Sequence, residues 1–463
     1  MGQDVLVITG GTIAAEYGTF KADLIIRDGR IAGIVDDARD ISGERLDASG
    51  LVVFPGGVDM HTHLREPSRI EREGFAHGTA SAAAGGISTV VDMPQADPLV
   101  ADVASFRQKR DAASRSAVVD FGLHAAAIGQ SIDQMAALKA EGALAFKAFM
   151  CASSPGYPRL NDAALVHTLR AVRELDSTLI VHAENDDLLQ DGLAQMAAAG
   201  RIDPLAHAES RPPIVEIEAV RRAIYLAGAT GARLHIAHAS TAATVRAVAR
   251  ARKAGHSITC ETCPQYLVMD LGDLLRLGPF ARCAPALRDR AEVEALWAVM
   301  AQGTVAAICS DHSPYTLAEK QAGNEDIFKA PLGLNVIQVM LPSIVDEGIH
   351  RRGLSYTWFA NLSAAGPARL LGLYPQKGSI RVGADADLTL WDMEQQWEVR
   401  REDLLSRHPW TPLEGRRLQG RVIRTIVRGR SVFADGRILV EPGTGQFLRA
   451  ASSPAIAPAV LPV

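Results

Sequence analysis

No apolar run in this 463-residue chain reaches the roughly 18 residues that a membrane-spanning helix requires, so no membrane partner is expected. Positive charge is not in excess either. The 48 Lys and Arg are outnumbered by 53 Asp and Glu, giving a net charge of −5. That leaves no basic surplus to hold a phosphate backbone and argues against a nucleic-acid partner. Cysteine is scarce and odd in number. Cys151, Cys260, Cys263, Cys283 and Cys309 make no disulfide framework and fit a reducing compartment. The opening MGQDVLVITGGTIA lacks a basic segment ahead of an apolar one, so an export signal is not evident and a cytoplasmic protein is expected. There is no GxGxxG loop, and the glycine pair of ITGGTIA reads as a turn rather than a phosphate cradle. With 22% charged residues, 40 Gly and 23 Pro, the composition lies near the globular average and excludes collagen-like, coiled-coil and mainly disordered chains.

What is present is alternation. Residues 4–53 read as short strands (VLVITGG, ADLIIRDGRIAGIV, LVVFPG), with Asp28-Gly29 as a hairpin turn because glycine tolerates positive φ. The same texture returns in GSIRVGADADLTLWD (378–392) and GRVIRTIVRGRSVFADGRILV (420–440). Between them, apolar runs such as STVVDM, LIVHAE, RLHIAHAS, SITCETC and TVAAICSDH alternate with Ala-rich amphipathic stretches such as ADVASFRQKRDAASRSA. Buried strands recurring between helices over this length predict an α/β fold, a (β/α)8 TIM-type barrel over 55–376. Residues 1–54 and 377–445 are expected to join as a small β-sandwich domain. Residues 446–463 form an extended C-terminal tail, ending in ASSPAIAPAVLPV with three prolines and no charge, packed on a partner or disordered.

The chemistry collects at the ends of the apolar runs. Asp59-Met60-His61-Thr62-His63 follows LVVFPGGV. Residues i and i+2 of an extended segment share a face, so His61 and His63 can meet one metal, and barrel sites lie at strand C-termini. LIVHAEN, LHIAHAS and VAAICSDHSP place His182, His238 and Asp311 in the same position. Each alone has a bland explanation, a satisfied buried histidine or a capping aspartate. Four strand ends repeating one theme outweigh it. Lys147 in GALAFKAFMC lies inside an otherwise apolar strand. A lysine there commonly snorkels to a rim, but a buried one is costly and its pKa falls. Beside a divalent metal, its neutral amine can capture carbon dioxide as a carbamate whose carboxylate bridges two ions. The remaining polar signals read as structure. The C-x-x-C of 260–263 has no second pair for zinc. His77, His124, His167, His207, His256, His350 and His408 have no matching spacing. His235, three residues before His238, should face the other way, and His312 should orient Asp311.

In order, HxH, buried Lys, His, His and Asp resemble the binuclear amidohydrolase superfamily and, within it, the cyclic amidohydrolases: allantoinases, dihydroorotases and hydantoinases (dihydropyrimidinases). The resemblance runs through GGVDMHTHLREP, KAFM, HAEN, IAHAS, ETCPQYL, SDHSP and KGSIRVGADADLTLWD. It implies two divalent ions, zinc by default, with iron, manganese or cobalt as alternatives. His61, His63 and Asp311 would hold one ion and His182 and His238 the other, with N6-carboxylysine at Lys147 bridging them. Asp311 would be the catalytic proton carrier. SRPP (210–213), CAPALR (283–288), Gln338 and SRHPWTPLEGRRLQGRV (406–422) are most similar to allantoinases. Arg65 stands where dihydroorotases bind a substrate carboxylate, and Asn335 resembles the hydantoinase pattern, in which backbone groups hold the cyclic ureide. Ala152 stands where hydantoinases place a Tyr, with Ser153 as a substitute. Arg65, Ser153, Cys283 and Asn335 are therefore the candidate substrate contacts. The expected reaction is hydrolysis of the ring amide of a small cyclic ureide. Allantoin comes first, then hydantoins, dihydropyrimidines or cyclic imides, then dihydroorotate. Retention of all six candidate ligands argues against a metal-free scaffold role, and Lys147 argues against a mononuclear deaminase. A homotetramer or homodimer is expected.

Overall fold

The computed structural model describes residues 5–152, 156–451 and 453. Its centre is a parallel barrel of eight strands, each paired with the next: β1 (Gly57–Thr62), β2 (Ile87–Asp92), β3 (Asp120–Leu123, resuming as Ala125–Ala126), β4 (Phe146–Phe149), β5 (Thr178–His182), β6 (Arg233–Ile236), β7 (Ile258–Thr262) and β8 (Ala307–Ile308). The ring closes where His312, just past β8, bridges Thr62 in parallel and its carbonyl accepts from the His63 N–H at 2.8 Å. Every residue of β1, β2, β4, β5 and β7 is buried, which is why these strands read as continuous apolar runs: parallel strands are covered on both faces.

The covering layer is helical. Gly74–Ala84 follows β1, Val103–Ser116 follows β2, Asp162–Glu174 follows β4, Pro213–Thr230 follows β5, Ala242–Lys253 follows β6 and Arg290–Met300 follows β7. Their starts are written in the sequence. Asp102, Asn161, Thr241 and Asp289 each accept a backbone N–H three residues on, a cap worth about 1 kcal/mol. Ala242–Lys253 buries Val245, Val248 and Ala251 on one side and leaves Arg246, Arg250 and Lys253 exposed on the other. No helix among the described residues is long and apolar enough to cross a membrane.

The two chain ends meet in one sheet. Val52–Pro55 pairs antiparallel with Leu388–Glu398, placing Trp391 opposite Val52. This is the centre of a seven-stranded sheet that also holds Thr12–Ala15, Gly18–Lys21, Arg417–Val427, Arg430–Ala434 and Arg437–Ile438. A four-stranded sheet contains Val5–Thr9, Asp23–Arg27, Arg30–Val35 and Glu44–Asp47. Ile8, Leu24, Ile26, Val53, Leu390 and Ile426 form the core between the two sheets. The Asp28-Gly29 turn has φ of 49° and 75°, the double positive φ of a type I′ hairpin.

Val52–Pro55 continues through Gly56 into β1, so this β layer is continuous with the first strand of the barrel. A buried charge network fastens the junction. Lys377 Nζ pairs with Asp120 of β3, with Asp385 at 3.0 Å and with Asp387 at 2.7 Å.

The start of the expected C-terminal tail is not an arm. Phe121 N–H donates to Gln446 O at 2.9 Å, and Leu448 N–H donates to Phe121 O at 2.8 Å. The Phe447 ring packs at centroid distances of 6.1 Å from Phe106 and 5.7 Å from Phe121. Residues 446–448 thus cover the N-terminal end of β3 of the chain's own barrel, because two backbone hydrogen bonds and a half-buried aromatic outweigh extension into solvent. Residues 454–463 lie outside the described residues.

Candidate metal centre

The six expected ligands converge at the C-terminal mouth of the barrel. His61 Nε2 and His63 Nε2 lie 3.4 and 3.1 Å from Asp311 Oδ1. Across from them, His182 Nδ1 faces His238 Nε2 at 3.0 Å. The two groups adjoin, with the His61 ring 5.3 Å from that of His238. Two nitrogen or oxygen ligands about 2.0–2.1 Å from one tetrahedral ion sit about 3.3 Å apart, so these separations are those of ligands sharing a cation. Lys147 Nζ is buried without a hydrogen-bond partner among the described residues, and it lies 5.3 Å from the Phe149 ring centroid. Burial pulls its pKa down to about 8, against the opposing pull of Glu261 and Asp311.

The donor atoms suit a metal. Burial lowers the His63 pKa to about 3 and pushes His182 and His238 below the usual imidazole range, so all three are neutral and carry a lone pair. Asp311 is ionised, because His61 and His63 overcome the effect of its burial. Carboxylates behind the rings choose the nitrogen that is left free. The His61 Nδ1–H donates to Glu261, which turns Nε2 toward Asp311. The His182 Nε2–H donates to Glu184 at 2.8 Å, which turns Nδ1 toward His238. Arg211 NH1, 2.6 Å from Glu184, and His182 hold that acid ionised in spite of burial.

Backbone strain gathers here. His238 and Asp311, with φ of 37° and 47°, and Arg65, at 68°, are non-glycine residues in the left-handed region, which costs about 1–3 kcal/mol each. The bend at His238 overturns one expectation. Lys147, Ile180, His235 and Thr259 are register neighbours across β4–β7 and face the barrel interior together. His235 therefore points inward, bonding Thr259 Oγ1 at 2.8 Å and Glu261 Oε2 at 3.2 Å. Strict alternation would send His238 outward, but the left-handed turn past the end of β6 returns it to the same side. Glu261 thus serves His61, His235 and the His238 backbone N–H (3.3 Å). It went unread within the C-x-x-C motif, although its position two residues beyond the inward Thr259 marks it. We expect Glu261→Gln to weaken metal binding roughly 10–100-fold in a chelator competition while leaving the circular dichroism unchanged. Unaltered affinity would show that Glu261 does not orient His61.

Above the centre lies a cavity of about 950 Å³, whose lining includes Lys147, Tyr157, Arg65, Arg282, Tyr315 and Gly333. Arg65 NH2 donates to Ser313 Oγ at 2.5 Å and to Tyr315 OH at 3.3 Å. Tyr157 OH donates to the Lys147 carbonyl. Two expected substrate contacts are otherwise engaged. Cys283 is turned from the cavity, its Sγ donating to Pro285 O at 3.3 Å and its thiol pushed up to about 12 by burial; Arg282 and Ala284 on either side line the wall instead. Asn335 spends its amide on Ser406 Oγ at 2.8 Å and His408 O at 2.9 Å, tying two loops together. Ser153 lies outside the described residues. His312, expected to orient Asp311, accepts from the Val336 N–H at 3.3 Å on Nδ1, and its carbonyl holds His63.

Residues 52–432 match the Amidohydrolase family. The chain is 42% identical over 447 residues to an allantoinase of Rubrobacter xylanophilus, covering 96% of this chain and 97% of that one. It is 40% identical over 445 residues to an allantoinase of Solibacter usitatus, covering 96% of each. It is also 33% identical over 446 residues to an L-hydantoinase of Paenarthrobacter aurescens, covering 96% of this chain and 97% of that one. Among solved structures, the L-hydantoinase (dihydropyrimidinase) from Arthrobacter aurescens superposes with a TM-score of 0.94 at 32% identity, covering 96% of this chain and 99% of that one.

Proposed function

Because the chain belongs to the amidohydrolase family, we propose that it uses two divalent metal ions to hydrolyse the ring amide of a cyclic ureide, allantoin to allantoate before any other. The observation that carries this reading is the meeting of His61, His63 and Asp311 with the His182–His238 pair beside a buried, unpartnered Lys147. Zinc suits this histidine-rich, carboxylate-supplemented donor set, and a carbamate on Lys147 would give the buried amine the partner it lacks. When bound, the ions supply a water acidic enough to attack at neutral pH and a Lewis acid for the ring carbonyl. Asp311 would take a proton from the attacking water and hand it to the leaving ring nitrogen, acting as base and then as acid. The tilt of His61 by Glu261 and of His182 by Glu184 keeps the donor atoms pointed at the cavity floor.

Allantoin is favoured over other rings by the 42% and 40% identity to allantoinases against 33% to an L-hydantoinase. Arg65 supplies the test. If its partner were the carboxylate of dihydroorotate, Arg65→Asn would remove a desolvated ion pair, costing about 2–5 kcal/mol and nearly abolishing turnover. Against the neutral ureido arm of allantoin the loss is about 0.5–1.5 kcal/mol, so Arg65→Asn should retain appreciable allantoin hydrolysis. Wild-type enzyme should show a higher kcat/KM for allantoin than for dihydroorotate. Robust dihydroorotate opening with no detectable allantoin opening would overturn the substrate assignment and leave the cyclic-amide class intact. All five cysteines are free and buried, which supports a cytoplasmic setting. The strand Glu44–Asp47, last in the four-stranded sheet, leaves an edge that supports assembly into a homodimer or homotetramer.

A further inference from the structure

The cavity wall holds a second arginine that the metal chemistry does not use. Arg282 is 7% exposed, yet its Nε has no hydrogen-bond partner among the described residues; its guanidinium donates from NH1 to Phe328 O at 3.3 Å and lies 5.7 Å from the Phe328 ring centroid. Other buried or half-buried arginines nearby are ion-paired with carboxylates: Arg211 with Glu184, Arg288 with Glu216 and Arg72 with Glu319. Asp326 acts on Arg282 electrostatically, but among the described residues no acid is ion-paired with it, and a desolvated guanidinium lacking such a pair is costly, so its presence on a cavity wall marks a place where an acceptor arrives from outside. Burial and the neighbouring Arg211 pull its pKa down to about 10, which leaves it cationic at neutral pH.

The backbone that carries this side chain is held from behind. The Arg282 carbonyl accepts from Gly333 N–H at 3.1 Å and from the buried Lys320 Nζ at 3.4 Å. The same ammonium takes the carbonyls of Pro331 at 3.1 Å and Gly333 at 2.9 Å, locking two stretches of the wall together. Arg65, whose Nε is likewise buried without a partner, lies 5.4 Å over the ring of Tyr315. Arg65, Tyr315 and Arg282 all line the same cavity.

We propose that Arg282, with Arg65, recognises the carbonyl or carboxylate oxygens of a substituent on the substrate ring, making it a specificity-determining residue for substituted over bare cyclic amides. A planar guanidinium fork donates two parallel N–H groups to such an acceptor, which a lysine cannot do. The proposal rests on the cyclic-amide reading above. The ureido arm of allantoin and the ring carboxylate of dihydroorotate share this chemistry.

The test is steady-state kinetics of the metal-loaded full chain on allantoin, dihydroorotate and hydantoin, with Arg282→Met and Arg282→Lys. Hydantoin is read as a substrate or, where it is not opened, as a competitive inhibitor. The preference for the substituted ring over hydantoin should fall about 10–100-fold in Arg282→Met, mainly through KM, and recover only partly in Arg282→Lys. Whether allantoin or dihydroorotate carries the effect identifies the acceptor. A parallel loss on hydantoin and the substituted rings, or no loss at all, would overturn the role of Arg282 while leaving the hydrolase reading standing. A metal-loaded wild type that opens none of the three rings would sink the hydrolase reading itself.

Discussion

Lys147→Ala should lose most of its bound metal and at least roughly 10³-fold in kcat/KM, with partial recovery on adding short carboxylic acids. Among the described residues, Lys147 is the one candidate ligand with no acid or ring beside it as a hydrogen-bond partner. Its Nζ sits buried, unpartnered and within electrostatic reach of Asp311, His182 and His238. A carboxylate grown on that amine would meet both halves of the centre, while alanine leaves the two halves without a bridge. The expected size follows from the role proposed for the ions, which would supply both the nucleophile and the electrophile, whereas losing one oxyanion donor alone costs about 10²–10³-fold. The measurement is metal content by elemental analysis beside turnover, with and without added acetate or propionate. An active, fully metallated Lys147→Ala enzyme would show that the lysine is not the bridge.

Asp311→Asn should lower kcat by about 10²–10⁴-fold, the usual worth of a positioned acid–base group, while binding at least one metal ion. Asparagine keeps an oxygen near His61 and His63 but cannot carry the proton from water to the leaving nitrogen. The aspartate is held ready by its surroundings. Its backbone is fixed at φ 47°, the neighbouring Ser310 donates to Asp59 of β1, and His61 and His63 keep the carboxylate ionised. Metal content and kcat measured on one preparation separate the two roles. A variant that keeps both metals and more than a tenth of wild-type kcat would remove Asp311 from proton transfer.

The convergence of the candidate ligands was legible because a strand has a fixed period and a barrel a fixed polarity. His61 and His63 share a face by i, i+2 spacing, and a histidine or aspartate closing an apolar run lands at the C-terminal mouth. Lys147 announced itself by contrast, a cation inside a strand every residue of which is buried. The meeting of the chain ends was legible for a similar reason, since both carry short alternating strands that need partners. Glu261 was visible in principle, at an inward position of β7. It was passed over because the two cysteines flanking the motif drew the reading.

Beyond the strand ends the sequence carries no such rule. His235 and His238 both face inward because the backbone turns left-handed at His238, and nothing in LHIAHAS announces that turn. Arg282 rather than Cys283 lines the cavity because Lys320 and Gly333, 38 and 51 residues downstream, bind the Arg282 carbonyl and set which side chain faces in. The Asn335 side chain is engaged by Ser406 and His408, from a segment more than 70 residues away. Side-chain direction on a strand is local, and the chain alone determined it. Direction in a loop is decided by whichever distant donors and acceptors the loop must satisfy when buried, and only the tertiary structure brings those groups together.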